Sequence, residues 1–223
     1  MADPTCLDVI QRGPQVWNEF RKTYRGKPDL SNANLSLRNL AGINLSGMNL
    51  IGANLIGTDL SGADLSGAYL IRARLIGADL VGTTLIKAML RGADLAEATC
   101  CLANLSRADL MDATLAGTHL NQCYLIEANL QNTNLYRADV SHANLVGANL
   151  NRASLVHADC THANFSRANL REVIGVRTTF DWADLSGADL RGADMTSASL
   201  VGTQVKDANL TGVILPTPIV LAS

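Results

Sequence analysis

The chain of 223 residues carries 18 Lys and Arg against 20 Asp and Glu, a formal net charge of −2, and only 4% aromatic residues. This near balance of charge argues against strong nucleic-acid binding and against strongly acidic mimicry of a nucleic acid. No stretch approaches the roughly twenty apolar residues of a membrane-spanning helix, and the start MADPTCLDV lacks the basic and apolar regions of a signal peptide. We therefore expect a soluble, cytoplasmic protein.

The first 28 residues predict two short helices. Thr5 with Asp8 resembles a helix-capping pair, and Pro14, which follows a glycine, is suited to open a second helix. Helical spacing then places four apolar side chains on one face, those of Val16, Trp17, Phe20 and Tyr24. Gly26 follows as a stop signal. Apolar side chains this large need a surface to cover them, so we expect these helices to cap the structure that follows.

From residue 29 onward the chain has a period of five. Leucine occupies 30 of the 38 multiples of five between 30 and 215, and the exceptions are Cys100, Val140, Cys160, Phe165, Gly175, Phe180, Met195 and Val205. A helix of about 3.6 residues per turn would scatter these leucines around its axis, and a strand of period two would alternate them between its faces. The chain must therefore change direction once in every five residues, which predicts a solenoid.

The other residues of the repeat define its unit. We term the multiples of five leucine positions, the residues two before them alanine positions, those directly before them polar positions, and those two after them turn positions. Alanine dominates the alanine positions, Asp or Asn the polar positions, and 15 of the 18 glycines occupy turn positions. Leucine and alanine positions therefore point inward and polar positions outward. Glycine supplies the φ above zero that a type II turn requires.

The turn glycines are unevenly distributed along the chain. Nine of the fifteen precede residue 95, whereas only Gly117 and Gly147 fill turn positions between 95 and 180. Because other residues avoid φ above zero, we expect type II turns in the first stretch and type I or irregular turns in the second.

The pattern A-(D/N)-L-(S/x)-(G/x), repeated from 29 to 215, resembles the pentapeptide-repeat family. The resemblance implies an all-β solenoid, a right-handed quadrilateral β-helix with one pentapeptide per side and about nine coils of about twenty residues. The chain would then consist of an N-terminal α-helical cap at 1–28, the β-helix at 29–215 and a C-terminal tail at 216–223. The junction of WNEFR with PDLS is similar to that preceding the repeats of many bacterial, especially cyanobacterial, members.

Two stretches depart from the pattern. The segment REVIGVRTTFDWADL places Val173 at an alanine position and Gly175 and Phe180 at leucine positions, so either a distorted coil or a five-residue loop at 171–182 would preserve the numbering. The C-terminal sequence GVILPTPIVLAS joins an apolar run to two prolines, which oppose a helix and further sheet pairing. This tail either folds over the last coil or forms a dimer contact, which leaves a monomer or a dimer through the C-terminal end.

The cysteines do not indicate a catalytic or metal site. Five cysteines form no CxxC pair, and Cys100, Cys123 and Cys160 occupy inward positions as small apolar side chains. Cys101 faces outward, so a redox role for the pair at 100 and 101 stays open as the alternative. This usage favours a reducing cytosol.

One column of aromatic side chains raises the question of a metal. His142 and His162 would stack about 4.8 Å apart on successive coils, with Trp182 next, and two such histidines could bind a metal. No third ligand stands at a fixed spacing, which favours a solvated column. Walker, nucleophile-elbow and GxGxxG motifs are absent from the sequence. We therefore predict no enzyme, no cofactor and no metal.

One side of the rod has the character of a contact face. Steps of twenty residues align seven uncharged residues, here termed the apolar column: Ile56, Ile76, Ala96, Ala116, Tyr136, Val156 and Val176. Arg137, His157 and Arg177, here termed the cationic rim, run beside its later half. A contiguous apolar stripe with a charged rim suggests protein binding, whereas the alternative is a β-branched column that merely favours the sheet.

Two functions follow from this resemblance and this surface. The favoured one is a non-enzymatic scaffold for an unidentified protein partner, without membrane or direct nucleic-acid contact. The alternative is a DNA mimic that binds DNA gyrase, as in the quinolone-resistance branch of the family, which relies on a strongly acidic surface and a dimer. Here six arginines interrupt the acidic columns: Arg72, Arg74, Arg107, Arg137, Arg152 and Arg167.

Overall fold

The computed structural model describes residues 2–26 and 28–216. Two helices, α1 (Pro4–Ile10) and α2 (Pro14–Thr23), are followed by a chain without helix from residue 28 to residue 216. Single parallel β-bridges join residues twenty apart at every fifth position, from Asp29 with Asn49 to Asp194 with Ile214. The fold is a right-handed quadrilateral β-helix with an N-terminal α-helical cap, as predicted. No helix among the described residues has the length and apolar character needed to cross a bilayer.

The repeat satisfies its own backbone. Within residues 80–84, three N–H groups donate to carbonyls of the adjacent coils over 2.7 to 3.0 Å. The N–H of Thr83 donates to the carbonyl of Leu80 over 3.0 Å and closes the turn, and the N–H of Val81 donates to the carboxylate of Asp79 over 3.0 Å. Asp and Asn therefore dominate the polar positions because each accepts the N–H two residues later, a donor for which the coil-to-coil pattern provides no carbonyl.

The interior is filled by the leucine and alanine positions. From residue 30 to residue 203, side chains at both sets of positions are almost fully buried except at Arg38, whereas Leu210 in the last coil is 37% exposed. Where threonine replaces alanine, its hydroxyl donates to a backbone carbonyl, as from Thr58 to that of Leu35 over 2.9 Å and from Thr83 to that of Leu60 over 2.8 Å, both 23 residues earlier. Thr133 instead donates to the carbonyl of Leu130 over 2.7 Å. Among the described residues, no buried side-chain nitrogen or oxygen lacks a hydrogen-bond partner. The core is therefore a packed structural element, with its polar groups satisfied internally.

The expected change of turn type along the rod is wrong. Every turn position has positive φ, whether glycine, as at Gly62 (62°), or another residue, as at Gln122 (59°) and His142 (57°). The N–H at each turn position from 32 to 192 donates to a carbonyl of the next coil, for example from Gln122 to Ser141 over 3.0 Å. Stacking therefore imposes one turn geometry on residues that would otherwise avoid it.

The segment 171–182 is neither a loop nor a distorted coil. Its bridges and positive-φ turn positions continue without interruption. Phe180 packs on Phe165 with ring centroids 5.7 Å apart, and both are fully buried. A Cβ on Gly175 would lie 2.6 Å from the Sδ of Met195, so the missing side chain leaves room for the next coil. The missing side chain of Gly175 is thus compensated by Met195 of the next coil, and the coil stays regular.

The helical cap covers the first coil through α2. Trp17 is fully buried, and its indole N–H donates to the carbonyl of Asn44 over 2.7 Å. The guanidinium of Arg21 donates to the carbonyl of Ser46 over 2.8 Å. Phe20 is partly buried against the core. The side chains of α2 thus satisfy backbone carbonyls that a preceding coil would otherwise bind.

Three details of the predicted cap are wrong. The capping residue of α1 is Asp3, whose carboxylate accepts the N–H of Thr5 over 2.8 Å, whereas Asp8 pairs with Arg12. Helix α2 ends at Thr23, before Gly26. Val16 does not share the buried face, since its side chain is 44% exposed. Pro14 does open α2, as expected.

The last described residue, Pro216, is buried. The two alternatives for the C-terminal tail concern residues 217–223, which lie outside the described residues.

Candidate functional site

The structure brings the apolar column together on one side of the rod. Coil-to-coil hydrogen bonds place its members in register, since Gly57 donates to the carbonyl of Ile76 over 2.9 Å and Arg137 to that of Val156 over 3.0 Å. All seven side chains are half-buried except that of Tyr136, which is 37% exposed. A partner that covers this line would meet an apolar strip along seven successive coils.

The cationic rim stands directly beside the later half of the column. Arg137, His157 and Arg177 are exposed and occupy turn positions with φ of 56°, 61° and 57°. The guanidinium carbon of Arg137 lies 5.1 Å from the ring centroid of Tyr136, and His157 meets the same ring edge-on at 5.9 Å. These contacts hold the exposed tyrosine between two cationic or titratable side chains.

The structure adds Ile174 to this surface, a residue that sequence reasoning missed. Ile174 is 46% exposed, lies on the same side of its coil as Val176, and bridges Ser154 and Asp194 on the adjacent coils. It occupies a polar position, where an isoleucine forgoes the usual hydrogen bond to the backbone. The sequence signal was the break in the Asp/Asn pattern at residue 174.

The other three corners of the rod lack such an uninterrupted line. At the equivalent position, Ile51 and Ile71 are followed one coil later by Arg91. Ile126 and Val146 lie between Ser106 and Ser166 of the neighbouring coils. At the remaining corner, Val81 lies between Ser61 and Cys101, and Asn121 follows. β-branched residues are therefore tolerated at every corner, but a seven-coil apolar line occurs on one side alone.

The column of histidines does not have the geometry of a metal site. The rings of His142 and His162 are stacked, with centroids 4.9 Å apart and planes inclined by 12°, and Trp182 continues the stack at 6.4 Å. Ring nitrogens donate to a metal in the ring plane, so two parallel rings aim their lone pairs side by side instead of at a common point. The described residues contain no group of three or more His, Cys, Asp or Glu that could hold a metal.

The thiols are poorly placed for redox chemistry. All five cysteines are free, and burial raises the pKa of Cys123 to about 12. Burial also raises the pKa of Cys100 well above its usual value and, to a smaller extent, that of Cys101. The thiol of Cys101 donates to the Oδ1 of Asn121 over 2.8 Å. Because the thiolate is the reactive form, these shifts disfavour the redox alternative for residues 100 and 101.

Most outward polar side chains are engaged with the rod itself. In one such column, Asn149 donates to Asn129 over 3.1 Å and Asn169 donates to Asn149 over 2.9 Å. Asp139 accepts hydrogen bonds from the backbone and hydroxyl of Ser141. These carboxylates and amides stabilise coil stacking and turns, and they do not converge on a pocket suited to catalysis.

Comparison with known proteins agrees with this architecture. The profile of the family described as pentapeptide repeats matches eight copies, over residues 29–67, 63–99, 103–141, 133–171 and 176–215. No curated protein sequence matches the chain.

Among solved structures, HetL, described as a pentapeptide repeat protein involved in heterocyst differentiation regulation from the cyanobacterium Nostoc sp. strain PCC 7120, is 30% identical with a TM-score of 0.67. The match covers 91% of this chain and 96% of HetL. Rfr23 from the cyanobacterium Cyanothece 51142 is 26% identical over 59% of this chain and 63% of its own, with a TM-score of 0.19. QnrB1, a plasmid-mediated fluoroquinolone resistance protein, is 16% identical over 79% of this chain and 88% of its own, with a TM-score of 0.34.

Proposed function

Because the chain belongs to the pentapeptide-repeat family, we propose that it is a non-enzymatic scaffold whose rigid rod binds a protein partner. The contact surface is the apolar column, with the cationic rim and Ile174 at its later end. The observation that carries this proposal is the uninterrupted line of seven uncharged side chains in register on one side.

The composition of this surface resembles that of a protein interface. Protein contacts combine an apolar centre that is depleted in charge with a polar, solvent-accessible rim, and Tyr and Arg are enriched in them. Tyr136 and Arg137 supply those residue types at the point where the line and the rim meet. The filled interior supports recognition by the outer surface over a substrate cavity.

The similarity to HetL supports a role that depends on contacts. HetL is described as involved in a regulatory process, and the match spans nearly the whole of both chains. A regulator of this build acts through the surface that its coils present. The five free thiols favour a reducing compartment, which is consistent with a cytoplasmic location.

The gyrase-binding alternative receives less support. A DNA mimic needs a strongly acidic surface, whereas this chain has a net charge of −2. Arg107 and Arg152 pair with carboxylates one coil later and so neutralise acidic positions. A supercoiling assay with DNA gyrase is the direct test, and we expect no inhibition at protein concentrations that saturate the proposed partner.

The contact surface can be tested with matched double variants. Ile76→Asp with Val156→Asp places two charges in the apolar column, and Ile126→Asp with Val146→Asp places two charges at the equivalent position of another corner. Outward substitutions of this kind usually change stability by only about 0.5 kcal/mol, so both proteins should fold. In affinity capture from cells that encode the chain, the first variant should lose the partner and the second should retain it. Equal retention by both would refute the proposed surface.

A further inference from the structure

We propose that the partner segment is an acidic amphipathic helix that lies parallel to the rod axis over Tyr136, Val156 and Val176, with its carboxylates at the cationic rim. The inference rests on the proposed contact role of the apolar column and names the chemistry of the partner that this column accepts.

Elsewhere on the rod, two of the four arginines at turn positions have an acidic neighbour one coil later, whereas Arg72 and Arg167 precede Gly92 and Gly187. Arg107 pairs with Glu127 over 2.7 Å, and Arg152 pairs with Glu172 over 2.8 Å. The cationic rim has the opposite arrangement, because the residue one coil after Arg137 is His157 and the residue one coil after His157 is Arg177. Among residues 2–26 and 28–216, neither arginine of the rim forms an ion pair.

The direction of the turn side chains explains why the rim stays unneutralised. Side chains at turn positions lie over the turn position of the following coil, as the Cγ of Glu97 lies 3.6 Å from where a Cβ of Gly117 would be, and the Cγ of Arg167 lies equally close to that of Gly187. A side chain at 137 thus reaches toward 157, and one at 177 reaches toward Ser197. The acidic residue of the same column, Glu97, lies two coils before Arg137 with Gly117 between them, and among residues 2–26 and 28–216 it forms no ion pair with the rim. The rim therefore offers positive charge that is not paired along its own column.

The opposite flank of the column offers further donors. The N–H of Tyr136 donates to the Oδ1 of Asn134 over 3.0 Å, but Ser154 and Ile174 replace the amide before Val156 and Val176. Within the described part of the chain, no acceptor contacts the N–H of either valine. The carboxylate of Asp194 in the same flank already accepts from Thr196 over 2.9 Å. A partner that covers the valines must supply acceptors here, because a donor left buried without one is costly.

The spacing of the rim favours a helix over a strand. Successive coils are about 4.8 Å apart, so the first and third members of the rim are separated by about 10 Å along the axis. Two turns of a helix rise about 11 Å, and residues three and four apart lie on one face. A strand along the axis presents same-face side chains about every 6.7 Å, or about 13 Å over two steps. The spacing of the rim therefore differs by about 1 Å from that of a helix and by about 3 Å from that of a strand. Flexible arginine side chains accommodate the smaller difference more readily.

The apolar surface at this end has the width for such a helix. Ile174 extends the line formed by Tyr136, Val156 and Val176 sideways by one column. An amphipathic helix buries a stripe of apolar residues at positions i, i+3, i+4 and i+7, flanked by polar ones. Leucine in that stripe would cover the valines, and glutamate on both flanks would meet the arginines and the free N–H groups.

Designed peptides of one composition give a direct test. The helical probe carries Leu in an i, i+4, i+7 stripe with Glu on both flanks, the strand probe alternates the same Leu and Glu, and a third peptide scrambles them. Binding to the full chain is measured by fluorescence anisotropy at about 10 mM and about 150 mM salt, where the Debye length falls from about 30 to about 8 Å. Circular dichroism of the bound peptide reports whether it is helical.

A matched charge reversal separates the site from general electrostatics. Arg137→Glu with Arg177→Glu reverses the rim, and Arg72→Glu with Arg167→Glu makes the same change of net charge at turn positions of other corners. Neither Arg72 nor Arg167 forms an ion pair among the described residues. We expect the first pair to weaken the helical probe at least about tenfold and the second pair to have a much smaller effect.

Each outcome decides the inference. Preferential, salt-sensitive binding of the helical probe that is lost only with the rim reversal supports it. Equal or tighter binding of the strand probe, equal loss in both reversals, or no binding by any peptide overturns it. If the probes fail while Ile76→Asp with Val156→Asp still abolishes partner capture, the contact surface stands and the acidic helix is refuted. If that capture is also unaffected, the contact surface itself is refuted.

Discussion

The turns before residue 95 and the turns between 95 and 180 differ in sequence and share one backbone. The first stretch uses glycine at most turn positions, as at Gly52 and Gly62 with φ of 65° and 62°. The second uses side chains such as Gln122 and His162, with φ of 59° and 58°. For a residue other than glycine, the left-handed conformation costs roughly 1–2 kcal/mol. The second stretch thus tolerates strain that the first avoids.

This difference shows that coil stacking, not turn chemistry, sets the backbone. The N–H of Gly57 and the N–H of Arg137 make the same bond to the next coil, at 2.9 and 3.0 Å. A turn with negative φ at this position would redirect that donor away from the coil. Burial of the inward side chains on both sides of each turn then maintains the strained form. The second stretch of the rod is consequently free to vary the outward side chains at its corners, and the cationic rim lies there.

The two stretches also differ in their inward residues. The first stretch fills its leucine positions with leucine, whereas the second includes Cys160, Phe165, Gly175 and Phe180. If packing rather than turn sequence maintains the backbone, inward substitutions should have larger effects than turn substitutions in both stretches.

The largest loss is expected for Phe180→Ala. It removes a buried ring that packs on Phe165 at 5.7 Å, and aromatic-to-alanine changes in cores cost about 3–5 kcal/mol. The control is Leu80→Ala on the same side of the first stretch, with an expected cost of about 2–5 kcal/mol. Urea unfolding followed by circular dichroism measures both. If either core variant lost less unfolding free energy than a turn variant, packing would not be what maintains the backbone.

The second largest loss is expected when the repeat pattern is restored by Gly175→Leu. A Cβ at this position would lie 2.6 Å from the Sδ of Met195, so a leucine overpacks the coil and costs about 1–3 kcal/mol. The double variant with Met195→Ala should recover part of the loss, because it removes the side chain whose sulfur a leucine at 175 would meet. A single variant that is more stable than the natural chain would show that residue 175 is a tolerated defect.

A smaller and reciprocal effect is expected at the turns. Gly62→Gln has open space around its Cβ and should cost about 0.5–1 kcal/mol, because the penalty for positive φ exceeds the benefit of a less flexible unfolded chain. Gln122→Gly should gain about 0.5–1 kcal/mol, since relief of the left-handed conformation outweighs the added freedom of the unfolded chain. Thermal unfolding compares the two. Effects of the same sign would mean that strain does not distinguish the two stretches.

The smallest effect is expected for the ion pair between Arg152 and Glu172. The hydrogen bond from Arg152 lowers the pKa of Glu172, so the pair stabilises the folded chain above the ordinary glutamate pKa. This contribution is lost as the pH falls through the lowered pKa. Arg152→Gln should raise the pKa of Glu172 toward its ordinary value, with little change in stability because both side chains are exposed. NMR titration of the Glu172 carboxyl measures the shift, and an unchanged pKa would contradict the pairing.

Sequence reasoning located most of the candidate surface and missed one residue of it. The twenty-residue step aligned Ile56, Val156 and Val176 because the repeat has no insertions, and the structure keeps that register. It missed Ile174, since a residue at a polar position was assigned to the solvated columns. It also left the segment 171–182 unresolved between two alternatives, because the packing of Met195 against Gly175 and of Phe180 on Phe165 is visible only when neighbouring coils are stacked.

The sequence by itself determined the solenoid, its period, its inward residues and the presence of a cap, because each depends on the spacing of apolar side chains along the chain. The tertiary structure alone established the uniform turns, the regular coil at 171–182 and the capping role of Asp3. It also established that neither Arg137 nor Arg177 forms an ion pair within residues 2–26 and 28–216. These properties depend on contacts between residues about twenty apart or across the cap. The conformational preferences of a five-residue unit do not include the hydrogen bonds that it forms with the neighbouring coil. Those bonds override the local preferences once the coils stack.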